Sequence, residues 1–138
     1  RDWWGGKFII KGIMDPEDAV EAVKIGADAI VVSNHGGRQL DETSSSIAML
    51  PTIVNEIGKN VSIWMDGGIR SGQDVLKAMA LGAEATLIGR SFCHGIGASG
   101  SQGGTKALNI IRQELDITMA LCGHRDILDV NSSILRST

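Results

Sequence analysis

Tyrosine is absent from this 138-residue chain, and proline and cysteine each occur only twice. The two cysteines, Cys93 and Cys122, do not have the spacing of metal ligands, and two thiols are too few for a disulfide-stabilised scaffold. Free thiols in an acidic chain are typical of the reducing cytoplasm, which is where we expect this protein to be.

Long apolar runs and clustered basic residues are also missing. No apolar run approaches the roughly 20 residues of a membrane-spanning helix, and the chain does not open on a basic segment followed by an apolar one. The net charge is -3, and the thirteen Lys and Arg residues are scattered, which leaves no basic surface for nucleic acid. We therefore expect neither a membrane nor a nucleic-acid partner.

Glycine, by contrast, is abundant, with 18 residues, and the hydrophobic content is 43%. A chain of this length can bury one core of ordinary size, so we predict a single domain over residues 1–138. The glycines stand at the ends of predicted strands rather than in a low-complexity tract. Glycine at such points allows tight turns and the close approach of a ligand.

Four strands and four helices follow from the spacing of the apolar residues. The strands are predicted at residues 8–10, 29–32, 60–65 and 85–88. The run at 29–32 shows no alternation of apolar and polar residues, as expected of a parallel strand buried on both faces. The helices are predicted at residues 16–25, 47–57, 72–81 and 105–121. The glycine-rich segment 95–104 is predicted to be a loop, and the tail 132–135 is predicted to cover a core.

Capping residues define the starts of three of these helices. Asp15, followed by a proline, is predicted to begin the first helix. Ser71, with Asp74 three residues later, resembles a capping box at the third. The serines at 44–46 can cap the second helix, although Pro51 argues against a regular first turn.

The first and third strand–helix units resemble each other. A shift of 56 positions, the distance from Gly26 to Gly82, also aligns Gly12, Ile13, Asp18, Ala22 and Ala29 with Gly68, Ile69, Asp74, Ala78 and Ala85. Repeated units of this size are typical of (β/α)8 barrels, which need about 250 residues. The sequence therefore predicts an α/β fold that forms a (βα)4 half of a TIM barrel with parallel strands.

Directly after the second predicted strand, residues 33–41 read Ser-Asn-His-Gly-Gly-Arg-Gln-Leu-Asp. A buried strand that ends in this way delivers the His35 imidazole and the Arg38 guanidinium to the rim of a parallel sheet, where α/β proteins place their chemistry. A glycine-rich βα turn with a surface arginine would show the same bare pattern, so both interpretations stay open at this point.

Other polar side chains should reach the same rim, because all strand carboxyl ends of a barrel face one way. They are Lys11, Asp66, Arg70 and Arg90. Asp66 can hold the His35 imidazole in one tautomer and favour its protonated form, and both effects would make the imidazole a better general base. Alternatively, Asp66 only forms the turn before the two glycines. Arg38 suits a carboxylate, because its planar fork binds two oxygens at once, or it is a solvated rim charge.

Two further turns, Gly67-Gly68 and Gly89-Arg90, have the pattern of the phosphate site that forms after barrel strands seven and eight. Backbone N–H groups would bind the phosphate there, and Arg70 and Arg90 would add positive charge. Two ordinary βα turns are the alternative. Because both turns carry an arginine, we expect a phosphate-bearing cofactor. We expect no metal, since His94 and His124 have no partner at ligand spacing.

Four motifs together resemble the FMN-dependent L-2-hydroxy-acid oxidases and dehydrogenases, which include glycolate oxidase, flavin-type lactate dehydrogenases and mandelate dehydrogenase. The motifs are Ile10-Lys11-Gly12-Ile13, residues 33–41, Asp66-Gly67-Gly68-Ile69-Arg70 and Leu87-Ile88-Gly89-Arg90. The similarity continues through residues 114–121 to the tail. It covers nearly the whole chain but only the C-terminal half of the family's barrel, strands five to eight.

This resemblance implies FMN as the cofactor and the oxidation of a small L-2-hydroxy acid to the 2-oxo acid as the reaction. His35 would be the catalytic base, oriented by Asp66, and Arg38 would hold the substrate carboxylate. Lys11 would lie against the flavin N1/O2 edge and stabilise the anionic reduced ring, and Ser33 would contact the flavin. The ribityl phosphate would be held by Asp66, Gly67, Gly68, Arg70, Gly89 and Arg90.

The chain also departs from the family's pattern. The family uses tyrosines, another arginine and flavin-contacting backbone from its first four strands, and it prefers an aromatic and an acidic residue in the regions matching 91–94 and 99–104. We therefore expect weak FMN affinity at most, and no turnover, from this chain alone.

A half-barrel has two unpaired strand edges and an uncovered inner face, so we expect a homo-oligomer in which two halves pair.

Two alternatives to this function remain. Type 2 isopentenyl diphosphate isomerases and inosine monophosphate dehydrogenases share the Asp-Gly-Gly-Ile-Arg and Gly-Arg turns, but they lack His-Gly-Gly-Arg-Gln-Leu-Asp as a base and carboxylate anchor. The second alternative is a non-catalytic half-barrel that binds phosphate or nothing.

Overall fold

The structure, a computed structural model, describes residues 2–136. One parallel sheet in the order β1-β2-β3-β4 is formed by Ile9–Ile13, Ala29–Val32, Ser62–Met65 and Ala85–Thr86. The helices that follow these strands are α1 (Pro16–Lys24), α2 (Ser46–Ile57), α3 (Gly72–Ala80) and α4 (Arg90–Leu121). Because each strand pairs with the next one along the chain and a helix lies between them, the predicted (βα)4 arrangement is confirmed.

The two faces of the sheet differ in their cover. Ile10, Ile30 and Ile63 are paired across three strands and belong to the main apolar core, which also contains buried residues of α1, α2 and α3. The next row, Lys11, Val31 and Trp64, points to the opposite face, because side chains alternate along a strand. Lys11 is exposed and Trp64 is only half-buried, so this second face is partly open.

The internal repeat is present in the structure. The shift of 56 positions carries the bounds of α1 onto those of α3, and it carries the N-cap Asp15 onto the N-cap Ser71. Asp15 accepts a hydrogen bond from the backbone N–H of Glu17 at 2.8 Å. Ser71 accepts one from the N–H of Asp74 at 3.2 Å, and Asp74 accepts one from the N–H of Ser71 at 3.0 Å, so the predicted capping box is confirmed.

Several boundaries differ from those predicted. The first strand runs on to Ile13 because a bulge between Lys11 and Ile13 keeps Gly12 within it. The third and fourth strands are shorter than the predicted 60–65 and 85–88. α2 continues on both sides of Pro51. None of these differences changes the order of the elements.

The loop predicted at residues 95–104 is wrong, because these residues are helical and belong to α4. The backbone of α4 leaves the helical conformation only at Ser99 and Gly100, which divide it into two arms, 90–98 and 101–121. A Cβ added at Gly103 would collide with the carbonyl oxygen of Gly95, and one at Gly104 would lie 3.0 Å from the Phe92 ring. The glycines therefore allow the two arms to touch.

A second apolar cluster joins α3, α4 and the tail. Leu76, Ala80 and Val130 are buried in it, and Ile134 and Leu135 pack against them, so the tail covers a core as predicted. Within residues 2–136, no helix has both the length and the apolar character needed to cross a membrane.

We predict that Gly103→Ala lowers the free energy of unfolding by about 1–3 kcal/mol, the usual cost of forcing extra atoms into a packed contact. Gly97→Ala is the matched control in the first arm of α4, since a Cβ there would meet nothing within 4 Å. It should leave the stability unchanged or raise it by up to about 1 kcal/mol, because alanine favours helix over glycine. Urea denaturation followed by circular dichroism measures both, and equal effects would contradict the packing role of Gly103.

Candidate active site

A cavity of about 510 Å³ lies at the carboxyl ends of the four strands. Its volume falls in the range of about 300–1,000 Å³ that is typical of small-molecule sites. All predicted site residues except Ser33 line it: Lys11, His35, Arg38, Asp66, Gly67, Gly68, Arg70, Gly89 and Arg90. Ser33 is completely buried beside it. The carboxyl ends of the strands therefore border one common cavity.

The cavity is cationic, although the whole chain has a net charge of -3. Lys11, Arg38, Arg70 and Arg90 line it together with a single carboxylate, that of Asp66, which leaves an excess of three positive charges without His35. Within the part of the chain that the structure describes, no group of three or more His, Cys, Asp and Glu side chains could hold a metal ion. A small anion is therefore the ligand that suits this charge.

A hydrogen-bonded network fixes Lys11 between the ends of three strands. Its Nζ lies 2.8 Å from Asp66 Oδ2 and donates a hydrogen bond to Ser33 Oγ at 2.8 Å. Ser33 Oγ also accepts a hydrogen bond from the backbone N–H of His35 at 3.2 Å. Ser33 accordingly links the lysine to the loop that carries the histidine, and it does so from a position without solvent contact.

The partner of Asp66 differs from the predicted one. The sequence predicts that Asp66 orients His35, but the carboxylate pairs with Lys11, and no hydrogen bond joins it to the imidazole among residues 2–136. The imidazole instead lies over Gly12 of β1. The other carboxylate oxygen, Asp66 Oδ1, is buried and has no hydrogen-bond partner in the described residues. Because a buried acceptor without a donor costs free energy, this oxygen suits a ligand that brings a hydroxyl or N–H group.

The loop that carries His35 is held in place by Asn34. Asn34 Oδ1 accepts a hydrogen bond from the N–H of Gly36 at 3.0 Å, and Asn34 Nδ2 donates one to the carbonyl oxygen of Ser44 at 3.3 Å. The N–H of Asn34 donates to Ser46 Oγ, which is buried, at 3.1 Å. Within this frame His35 has a φ of 56°, a left-handed conformation that few non-glycine residues adopt. The surrounding hydrogen bonds stabilise this conformation.

Asn34 and Ser46 therefore hold the loop that carries His35, a role that the sequence analysis does not assign to them. An asparagine at a turn next to glycines commonly bonds to the backbone two residues later, and this signal could have identified Asn34. The sequence indicates only a helix-capping role for Ser46. In the structure Ser45 is the N-cap residue, and its side chain makes no capping hydrogen bond. Nothing local to Ser46 indicates its contact with a loop twelve residues earlier.

The two predicted phosphate turns both border the cavity. Gly67 and Gly68 have φ values of 87° and 90°, in the region that favours glycine. A Cβ at Gly68 or Gly89 would meet nothing within 4 Å, so space is open beside both backbones. Gly89 is also the N-cap of α4, and the free N–H groups at a helix N-terminus attract anions.

The arginines of the cavity have different partners. Arg90 Nη2 donates a hydrogen bond to the carbonyl oxygen of Gly36 at 3.2 Å, which joins the turn after β4 to the histidine loop. Arg38 and Arg70 are both exposed, and their side chains form no ion pair with any residue that the structure describes. These two guanidinium groups are therefore available to an anionic ligand.

Known proteins match this chain closely. A family model described as FMN-dependent dehydrogenase matches residues 1–137. L-Lactate dehydrogenases of Caulobacter vibrioides and Haemophilus influenzae are 49% and 47% identical to it over 135 residues, which make up 98% of this chain. The chain spans 35% of the length of these relatives.

Solved structures agree with the sequence relatives. A mandelate oxidase variant with a monooxide FMN adduct is 44% identical and superposes with a TM-score of 0.89, over 92% of this chain and 40% of the other. A mandelate oxidase variant with (S)-mandelic acid gives the same TM-score and identity, over 92% of this chain and 38% of the other. This chain therefore belongs to the family of FMN-dependent dehydrogenases.

Proposed function

We propose that this chain is the part of an FMN-dependent 2-hydroxy-acid dehydrogenase that holds the phosphate end of FMN and supplies the base for substrate oxidation. The observation that carries this proposal is the single cationic cavity that joins His35, Arg38 and Lys11 with two glycine turns. The names of the relatives, L-lactate dehydrogenase and mandelate oxidase, support a small L-2-hydroxy acid as the substrate class. We propose that the substrate is an acid of the lactate, glycolate or mandelate type.

The cavity residues fit FMN in three respects. Asp66 Oδ1 has no hydrogen-bond donor among residues 2–136, and the hydroxyl groups of a ribityl chain are donors. The open space beside Gly68 and Gly89 lets a phosphate approach backbone N–H groups, with Arg70 and Arg90 lining the same cavity. We propose that Gly67 completes this turn and that Lys11, fixed by Ser33, provides a positive charge for the electron-rich edge of the flavin ring.

The chain's own residues would perform the proton transfer. We assign to Arg38 the binding of the substrate carboxylate through two N–H groups, which leaves the hydroxyl-bearing carbon near His35. The imidazole of His35 would then accept a proton, from the hydroxyl in a hydride route or from the α-carbon in a carbanion route. FMN, when bound, accepts the two electrons that the substrate loses. Asp66 would serve the site by holding Lys11, since within residues 2–136 it makes no hydrogen bond to the imidazole.

We propose that the chain is one (βα)4 domain whose open sheet face is covered by a second copy. β1 and β4 each have one neighbour in the sheet, Ile9 is 42% exposed, and Trp64 is half-buried on the same face. Apolar surface next to unpaired strand edges favours association.

Cys93 and Cys122 are both exposed free thiols, and we propose the cytoplasm as the compartment on that ground.

The catalytic proposal is tested in a hybrid in which this chain replaces the matching third of the Caulobacter vibrioides L-lactate dehydrogenase. We expect the hybrid to oxidise L-lactate and the His35→Gln hybrid to lose about 100- to 10,000-fold in kcat, the usual contribution of a general base. His94→Gln is the matched control, because His94 lies on α4 outside the cavity. FMN content is measured by absorbance, and a His35→Gln hybrid with full turnover would overturn the assignment.

The phosphate site is tested on the 138-residue chain itself by quenching of FMN fluorescence. We expect weak FMN binding that Arg70→Gln reduces by about tenfold, in line with the loss of one charge-assisted hydrogen bond. Arg112→Gln is the control, since Arg112 lies on α4 away from the cavity. Riboflavin, which lacks the phosphate, should bind equally to the original chain and to Arg70→Gln. Tight FMN binding that is indifferent to Arg70 would contradict the proposal.

The pairing of half-barrels is tested by light scattering after size-exclusion chromatography. We expect a dimer or larger oligomer, and we expect Trp64→Lys to increase the monomer fraction because it charges the open sheet face. Trp3→Lys provides the control, since Trp3 is fully exposed in the segment before β1. A monomeric original chain would refute the pairing.

A further inference from the structure

Gly12 lies directly beneath the imidazole of His35. A Cβ added at Gly12 would stand 2.8 Å from His35 Cε1, 3.1 Å from Nε2 and 3.8 Å from Nδ1. The ring edge formed by Cε1 and Nε2 therefore occupies the space that any other residue at position 12 would fill with its side chain. We propose that Gly12 is a positioning residue for His35, a role that rests on the proposed function of His35 as the base.

The conformation of β1 explains why a glycine meets the ring at this point. Lys11 pairs with Val31 and Ile13 pairs with Val32, so Gly12 is the extra residue of a bulge. Its φ of 101° lies in the left-handed region that glycine adopts without strain. Bulges re-aim the side chains next to them. The same distortion that turns Gly12 toward the histidine thus accompanies the placement of Lys11 against Asp66.

The hydrogen bonds around His35 hold its backbone and not its ring. The backbone of His35 is fixed by the bond from its N–H to Ser33 Oγ and by the Asn34 frame. Its ring, however, makes no hydrogen bond within residues 2–136, and the residue is exposed. Packing therefore limits the rotation of the ring, and Gly12 is one surface that the ring edge approaches closely.

A methyl group at position 12 would move the ring rather than the backbone. Ordinary contact begins near 3.4 Å, so the Cε1 atom would have to shift by about 0.6 Å from its 2.8 Å position. A general base acts only within about 2.6–3.2 Å of the proton that it removes, and small displacements at that distance cost rate. The glycine therefore serves the site as well as the backbone conformation of β1.

Gly82 offers a matched control for the backbone strain. Its φ is 102° against 101° for Gly12, and a Cβ there would lie 2.8 Å from Val54 Cγ1. Gly12→Ala and Gly82→Ala thus impose the same unfavourable φ and a contact of the same length, one on His35 and the other on an aliphatic core side chain. Gly82→Ala therefore shows how far strain of this size elsewhere in the chain changes His35.

The test uses proton NMR of the 138-residue chain, which has only three histidines, so His94 and His124 serve as internal references. In the unmodified chain we expect a nuclear Overhauser effect between His35 Hε1 and the Gly12 α-protons. Gly12→Ala should shift the His35 Hε1 resonance by more than those of the two reference histidines. Gly82→Ala should leave the His35 resonance in place.

A double-mutant cycle separates the contact from the strain. Gly12→Ala should lower the urea midpoint less in a His35→Ala chain than in the original one, because the colliding ring is gone. An unmoved His35 resonance in Gly12→Ala, or an additive cycle, would overturn the proposal. If Gly12→Ala does not fold, the Overhauser effect in the unmodified chain decides, and its absence refutes the contact. None of these readouts needs FMN or substrate, so their failure is distinct from a failure of the hybrid-enzyme test.

Discussion

The ion pair between Lys11 and Asp66 is the interaction on which the arrangement of the site depends, because it joins β1 to β3 across the strand between them. Ser33, at the end of that middle strand, accepts from Lys11 and from the N–H of His35, so three strand ends share one network. The network neutralises one cation and leaves Asp66 Oδ1 without a donor in the part of the chain that the structure describes. What remains around it is positive charge and one unused acceptor, which together suit an anionic ligand that carries hydroxyl groups.

Most of the fold could be predicted because its signals are local. Asp15 and Ser71 cap helices of equal length, and the repeat of 56 positions gives two strand–helix units the same plan. The first part of α4 could not be predicted, because local rules interpret glycine as a turn former. At Gly95 and Gly103 the missing side chain serves the contact between two helical arms, and composition does not distinguish these two uses of glycine.

The membership of the site could be predicted from topology, since parallel strands end at one edge and therefore bring Lys11, Asp66 and Arg90 to the same cavity. The pairing of its side chains could not. Chain order suggests that Asp66 would serve His35, whereas the structure pairs the carboxylate with Lys11 and places the imidazole over Gly12. Such pairings depend on the directions of side chains that are far apart in the sequence, and the sequence pattern does not specify these directions.

Arg90 has one of its five guanidinium N–H groups committed to the carbonyl oxygen of Gly36, the residue next to the base. The other four lie in the same rigid plane, so one side chain both lines the cavity and holds the histidine loop. Order at either place is thereby thermodynamically linked to order at the other, and the linkage is reciprocal. In the proposed function, an anion held at this end would therefore stiffen the histidine loop, so that FMN and the hydroxy acid would each favour the binding of the other.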